Sequence, residues 1–575
     1  MPNHLRAPAQ HGDLLLSPEG SLAGLARANE VALSQQLLLG RSLSAIRGEA
    51  RAEVSQLASR YTNELIDPER DGVRGPHLSL RPPHPGPLPH GRVHSESRTD
   101  CGGEGAERTL AVPQHWIIGG HQPELFHPGV WVKNAVVAGL ATQLDGIGLN
   151  LVVDNDVCSG SSVRIPSRPG SEAVTSLEWD QLHRQSPWEE RAAPDQETFA
   201  QFGESCLERL QPWGIEPLAA AQDWTASPSR GIVDRLIQLR SRFEQSAGIR
   251  NLELKVSDLA DTQCFRRFLL AALRDAPQLR EAYNSSLADY RATNRIHSRS
   301  HPVPPLDATA QGIEVPFWVW RTGELRRSRL FVEVVGAETL RLHDGICEVG
   351  TIPLQSEEAA LQALSELRQQ GWKIRPRALT LTLFCRVWLG SVFVHGIGGA
   401  KYDELTDALM QRWLGLTPPA IIVATATLRL LESFAGPDPL PEIRKLKAEL
   451  RRMQWNPECF VESAPADAMS AGLKAEKTQL IAEKHAGRVK SNSRSQRHQQ
   501  RMRQAEIHAL IQTINAALRH GLKEREKLAL EELRAQLASV PYQQSLRSRE
   551  FASNLFPAET IQELFRQAQE RVSQS

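Results

Sequence analysis

The feature that most constrains this chain is a strand, glycine-rich turn, helix and strand unit that occurs twice, far apart. The first copy opens at His115-Trp116-Ile117-Ile118, a short apolar run that reads as a strand. Gly119-Gly120-His121-Gln122-Pro123 follows as the turn. Val130 to Leu144 then has helical spacing through Val130, Val132, Val136, Val137 and Leu140, and Leu149 to Val153 reads as the next strand. Two strands joined by a crossover helix lie parallel in one sheet. The second copy comes about 270 residues later. Val387 to Val394 reads as a buried strand and His395-Gly396-Ile397-Gly398-Gly399-Ala400 as the turn. Tyr402 to Leu414 reads as the helix and Ala420 to Ala424 as the closing strand.

A sheet whose halves are so widely separated needs a domain inserted between them. The expected fold is therefore α/β: a split Rossmann-like parallel-sheet core, an inserted α+β domain and a C-terminal antiparallel helical coiled coil. The stretches around 196–211, 230–247 and 262–292 read as helices. Glu314 to Trp320, Arg329 to Val335 and Thr339 to Leu342 read as antiparallel strands of the insertion. In the charged C-terminal region, Ile507, Leu510, Ile511, Ile514 and Leu518 form a 3-4 stripe. Leu530, Leu533 and Leu537 extend it towards Pro541, which with 466–486 suggests a long helical hairpin. The partition expected along the chain is a helical segment at 1–66 and a disordered Pro/Gly-rich linker at 67–112. Core halves follow at 113–165 and 375–435, around an inserted domain at 166–374. The hairpin occupies 436–545, and a tail packing on the core occupies 546–575.

Composition narrows the partners. Lys+Arg and Asp+Glu are both 67, so global charge gives no reason to expect nucleic acid or an anionic membrane. A basic run, Lys484 to Arg503, is interleaved with no aromatic residue, and it reads as a solvated hairpin tip. The seven cysteines are scattered and form no C-x-x-C pair, which argues against a disulfide framework and a structural zinc site. No apolar stretch approaches the ~18–20 residues that span a bilayer. Met1 to Leu16 carries no signal-peptide pattern, so the expected location is the cytoplasm.

The chemistry is expected at the two turns. Ligands of parallel sheets bind at the carboxyl ends of strands, where a following helix offers free N–H groups and a positive dipole end to phosphate. In the first turn, Gly119 and Gly120 allow close backbone approach. His121, His127 and, one helical turn on, Lys133 can neutralise charge developing on phosphoryl oxygens, with Gln122 beside them. Asp154-Asn155-Asp156 ends the second strand. Its carboxylates suit a ribose hydroxyl, a substrate amine or Mg2+, or the segment is an ordinary Asx turn. The second turn repeats the pattern with His395, Gly396, Gly398, Gly399, Lys401 and Tyr402. It matches neither the Walker A loop nor the G-x-G-x-x-G fingerprint. Tyr283-Asn284, Arg291 and the stretch Arg295 to His301 form a polar, basic segment able to reach an anionic substrate or to face solvent. No residue set reads as a protein-built metal site.

Together the two turns carry a resemblance. Gly120 to Lys133 resembles the Gly-Gln-Gln…Gly-Pro-Leu…Lys segment of the bacillithiol synthase (cysteine ligase) family. Gly396-Ile397-Gly398-Gly399-Ala400-Lys401-Tyr402 is similar to that family's Gly-Gly-Pro-x-Glu-x-x-Tyr loop. Val153 to Asp156 stands at its Asp-His-Asp turn, and Ser548 to Pro557 is similar to its C-terminal end. Three positions depart: His121 replaces a Gln, Ala400-Lys401 replace the Pro and Glu of the second loop, and Asn155 replaces a His. The resemblance implies a core akin to class I nucleotidyltransferases and a nucleotide site. It implies addition of cysteine, or a similar amino acid, to a glucosaminyl-malate-like acceptor, and a homodimer through the coiled coil. His121, His127, Asp154 and Asp156 would then be catalytic, with the remaining turn residues binding nucleotide and substrate. The cofactor stays open, with an adenine nucleotide and Mg2+ as candidates. A nucleotidyltransferase or adenylate-forming enzyme, and a non-catalytic scaffold using the coiled coil, remain as alternatives.

Overall fold

The computed structural model describes residues 5–38, 40–66, 113–167, 174–182, 184–225, 231–336, 338–460, 468–486 and 493–575. The Pro/Gly-rich segment 67–112, with Cys101, lies outside them, as does part of the basic run at 484–503. The chain is mixed α/β and separates into two compact units. One comprises 1–165, 175–429 and 549–575. The other comprises 166–174 and 430–548.

The larger unit is built on a six-stranded sheet. Its spatial order is Leu14–Ser17, Ile422–Ala426, Val392–His395, Trp116–His121, Ile147–Val152, Leu252–Lys255. The last five strands are mutually parallel and Leu14–Ser17 is an antiparallel edge. From Trp116–His121 the chain steps outward to Ile147–Val152 and Leu252–Lys255. It then returns to the opposite side of the starting strand and steps outward again. The strand order therefore reverses between Trp116–His121 and Val392–His395. The helix Pro128–Gln143 is buried around almost its whole circumference. It lies against the sheet on one side and against Ala558–Ser573 on the other, where Trp131 meets Phe565 edge-on at 5.4 Å. An all-round apolar helix requires such enclosure.

A second, antiparallel sheet follows the order Ala308–Thr309, Gly312–Arg321, Ser328–Val334, Thr339–His343, Glu348–Pro353, and Trp372–Pro376 also pairs with Gly312–Arg321. In the smaller unit, Pro439–Trp455 runs along Lys523–Leu546, and Ala468–Ala486 along Arg494–His520. Leu480, Ile507, Ile514 and Leu518 form the core of the second pair. Leu510, Leu530 and Leu537 of the expected stripe are exposed, and Pro541 lies inside a helix that continues to Leu546.

Several boundaries differ from those the sequence suggests. The apolar run from Val387 is not one strand. Cys385–Leu389 forms a π-helical turn, closed by the Gly390 N–H on the Cys385 carbonyl, and only Val392–His395 is extended. The run is buried throughout, so hydrophobicity alone could not separate helix from strand. Gly119, Gly120 and His121 belong to their strand rather than to a turn. The helix expected from Tyr402 already starts at Ile397 and ends in a π-helical turn at Met410–Leu414. The helix expected over 262–292 is two, Gln263–Arg274 and Ala276–Thr293, with Pro277 in the first turn of the second. The helical segment expected at 1–66 likewise holds two helices, Leu22–Ser34 and Leu43–Ile66, joined by a short hairpin.

A buried ion cluster joins the N-terminal helices to the two strands at the reversal. Glu30 pairs with Arg47 and Arg51, both at 2.8 Å. Arg47 donates to the Val387 and Gly390 carbonyls, and Arg51 to those of Leu389 and Gln114. The Ser391 hydroxyl donates to Glu30 at 2.6 Å and accepts the Trp116 N–H. Burial alone would raise the Glu30 carboxyl. The Arg51 hydrogen bond and the charges of Arg47 and Arg51 overcome it and hold the group at about 2. A carboxyl below its ordinary 4.5 in the fold contributes stability that is present above pH 4.5 and lost as pH falls towards 2. That contribution is roughly 3 kcal/mol. Arg51→Ala leaves a buried carboxylate half-paired and is expected to cost about 3–5 kcal/mol. Denaturant unfolding at pH 7 checks it, and a loss under about 1 kcal/mol contradicts the assigned role.

Candidate functional site

Three parallel strands end at one edge of the sheet, around the reversal of strand order, and their last residues wall a cavity of about 650 Å³. Open parallel sheets hold ligands at this position.

The first strand delivers Gly120, His121 and Gln122 to the cavity. Gly120 is required by the neighbouring strand, since a Cβ there would stand 3.0 Å from the Leu151 carbonyl oxygen. His121 is buried, 2.7 Å from the Gln122 carbonyl through Nδ1 and edge-on to Phe126 at 4.0 Å. Burial, then the charges of Lys133 and Arg240, hold its pKa well below the ordinary 6.5, so the ring is neutral. Its buried Nε2 has no hydrogen-bond partner among the described residues. Gly119 pairs within the sheet behind the cavity. Lys133 does not reach the cavity. It is buried behind the strand end, donates to the Gly120 carbonyl at 3.1 Å, and is pushed down to about 8 by burial. His127 is also elsewhere: its Nδ1 caps the following helix through the Gly129 N–H, and its Nε2 stands 4.0 Å from Glu550.

The second strand end splits its residues between two directions. Asp156 and Asn155 line the cavity. Asp156 accepts from Gln122 at 3.1 Å and from Arg327 at 3.0 Å, and Asn155 donates to the Pro376 carbonyl. Asp154 turns away into the protein, where the Ser257 N–H and hydroxyl donate to it. Burial first, and the Glu189 charge second, push its carboxyl up to about 7.

From the third strand come His395, Gly399, Tyr402, Asp403 and Thr406. His395 Nε2 lies 3.1 Å from the buried Asp403 carboxylate, which Arg386 holds from the other side at 2.6 Å. Burial would raise Asp403, but the charges of His395 and Arg386 outweigh it and lower the group. Gly399 lets this ring pack on the first turn of the helix, because a Cβ would meet His395 Nδ1 at 2.8 Å. Gly396 begins the helix with no side-chain cap. The first-turn N–H groups of Ile397, Gly398 and Gly399 thus remain as donors at a helix N-terminus. Lys401 is exposed on the helix and does not line the cavity.

Of His121, Lys133, Asp154 and Lys401, only His121 reaches the cavity. The opposite wall comes from the antiparallel sheet and the segments beside it. Arg327 and Arg377 both lie over the Trp318 ring, 4.8 and 4.2 Å from its centre. Arg377 pairs with Glu314 at 2.7 Å, while its buried Nε is unpartnered among the described residues. Arg327, Arg377, Trp318 and Asp403 carried no motif in the sequence. The one available signal was a tryptophan in an alternating strand, Phe317-Trp318-Val319-Trp320. Among the described residues, no group of three His, Cys, Asp or Glu is arranged to hold a metal ion, no disulfide occurs, and no helix is long and apolar enough to cross a membrane.

Neither a family model nor a curated protein sequence matches this chain.

A histidine with a lowered pKa in the fold stays neutral where the unfolded ring takes a proton. Stability should therefore fall as pH drops below about 6.5. The His121 ring-proton resonance, assigned by His121→Gln, should not titrate between pH 8 and pH 6. An ordinary titration midpoint near pH 6.5 contradicts the site as described.

Proposed function

We propose that the strand-end cleft binds a nucleotide. On this reading the chain is a bacillithiol-synthase-like ligase that adds cysteine, or a similar amino acid, to a glucosaminyl-malate-like acceptor. The core would be a split Rossmann-like sheet akin to class I nucleotidyltransferases, and the C-terminal helices a coiled coil that dimerises the chain. The observation that carries the reading is the cleft's place at the reversal of strand order, flanked by His121 on one strand and His395 on the other.

The residues present suit a nucleotide. The uncapped N-terminus at Gly396 and Ile397 offers N–H donors and a positive dipole end to a phosphate. The neutral His121 donates from Nδ1 to the Gln122 carbonyl, so its free Nε2 is an acceptor that can take a hydroxyl or amine proton without repelling a cationic amine. Arg327 and Arg377 supply guanidinium groups on the facing wall, which suit the carboxylates of a malate-like acceptor. Asp156 is placed to accept from a sugar hydroxyl or an amine. His395, held by Asp403, can pass a proton to or from a reacting group. A bound nucleotide would supply the phosphoryl chemistry that drives such a condensation.

Calorimetric titration of the full chain with ADP, ATP and CTP tests the reading. At least one should bind saturably, and His121→Ala should weaken it by about 3- to 10-fold, the loss expected of one neutral hydrogen bond. No binding of any of the three overturns it. Pyrophosphate release on adding an acceptor would instead assign the cleft to an adenylate-forming enzyme or nucleotidyltransferase.

A further inference from the structure

A second cavity, of about 540 Å³, lies in the larger unit and shares no lining residue with the strand-end cleft. Its walls come from the hairpin and helix after Leu37, from Gln263–Arg274, and from both π-helical turns. Those turns place Trp388 and Trp413 in the chamber. Each is closed by a hydrogen bond spanning five residues, Gly390 N–H to the Cys385 carbonyl and Gly415 N–H to that of Met410. Insertions of this kind are rare in helices and concentrate at functional sites. Two in one cavity wall, each presenting an indole, are not required by the sheet.

Part of the chamber's lining is aromatic and apolar. Phe268 stands edge-on to Trp388 at 4.9 Å and tilted to Trp413 at 6.1 Å. Trp413 is fixed by its Nε1–H donating to Asp275 at 2.7 Å. Leu38, Ile46, Leu270 and Leu414 complete the apolar lining. The volume lies in the range of about 300–1,000 Å³ usual for small-molecule pockets. At the rim, Arg267 bridges Glu49 and Glu357 at 2.9 and 3.0 Å, and Arg41 also pairs with Glu49. These groups neutralise one another. Arg274 is the rim guanidinium that makes no ion pair among the described residues.

We propose that this chamber is a second ligand site, for a small, flat, mainly apolar molecule carrying one anionic group. The ring system lies against Phe268, Trp388 and Trp413, and the anion meets Arg274. The site does not depend on what the strand-end cleft binds.

The test uses the full chain and the dye 1-anilinonaphthalene-8-sulfonate, followed by fluorescence. Saturable one-to-one binding is expected, not displaced by ADP. Ala271→Trp, which fills the chamber from its wall, should weaken binding by about tenfold or more, with the melting temperature retained. Leu414→Trp serves where the first variant fails to fold. Arg274→Gln should weaken the dye by several-fold and leave the neutral N-phenyl-1-naphthylamine unchanged. No saturable site, displacement by ADP, or wild-type affinity in a folded chamber-filling variant overturns the proposal. Equal binding of the neutral and anionic dyes overturns the role of Arg274.

Discussion

The cleft depends on two strands that are neighbours in space and about 270 residues apart in the chain. Their register is held at the end opposite the site by the Glu30, Arg47 and Arg51 cluster. One carboxylate and two guanidiniums, all buried, satisfy carbonyls at the start of both strands, Gln114 for one and Val387, Leu389 and Gly390 for the other. Ser391 closes the set by accepting the Trp116 N–H and donating to Glu30. A buried ion set of this kind adds little net energy over an apolar replacement, but it strongly disfavours any arrangement that leaves a member unpaired. Its contribution is therefore to specificity: it selects the one pairing that brings His121 and His395 to the same edge.

At that edge the polar residues divide by depth. Lys133 and Asp154 have the types expected of ligand-binding groups, yet both are spent on the protein itself. Lys133 holds the Gly120 carbonyl and Asp154 the Ser257 backbone and hydroxyl. Behind the first strand, Arg240 lies between Glu244 and Glu253, and its charge helps to keep His121 neutral. The cleft is thus shaped by a buried electrostatic layer beneath it, while His121, Asp156, His395, Arg327 and Arg377 form its surface.

The parallel sheet and the place of the cleft were legible because glycine, chain direction and the apolar period of the crossover helices agree. His121 and His395 could be singled out for the same reason. What was not legible follows from physics that sequence spacing does not carry. Eight consecutive residues buried on every side leave no period, so the π-helical turn at Cys385–Leu389 was indistinguishable from strand. The inward turn of Asp154 and the outward turn of Asp156 depend on Ser257 and Arg327, each more than a hundred residues away in the chain. The wall of Trp318, Arg327 and Arg377 is set by strand pairing within the antiparallel sheet, notably Trp318 opposite Arg375 beside Pro376. No local motif encodes that pairing.

The departures from the pattern of the family that the two turns resemble acquire a physical sense. A Gln at position 121 would present an amide with fixed donor and acceptor ends. The imidazole of His121 is kept neutral by its surroundings and its Nδ1–H is taken by the Gln122 carbonyl, so it presents a single acceptor, Nε2, to the cleft. Likewise, Gly396 leaves the helix start without a side-chain cap, and Gly399 lets His395 lie on its first turn. A proline at position 400 would instead remove the N–H that donates to the Gly396 carbonyl at 3.0 Å. The changes at both turns therefore leave intact an edge that pairs a neutral acceptor at His121 with N–H donors at the helix start, and it is this edge, rather than any one side chain of the motif, that the two distant halves of the chain are folded together to make.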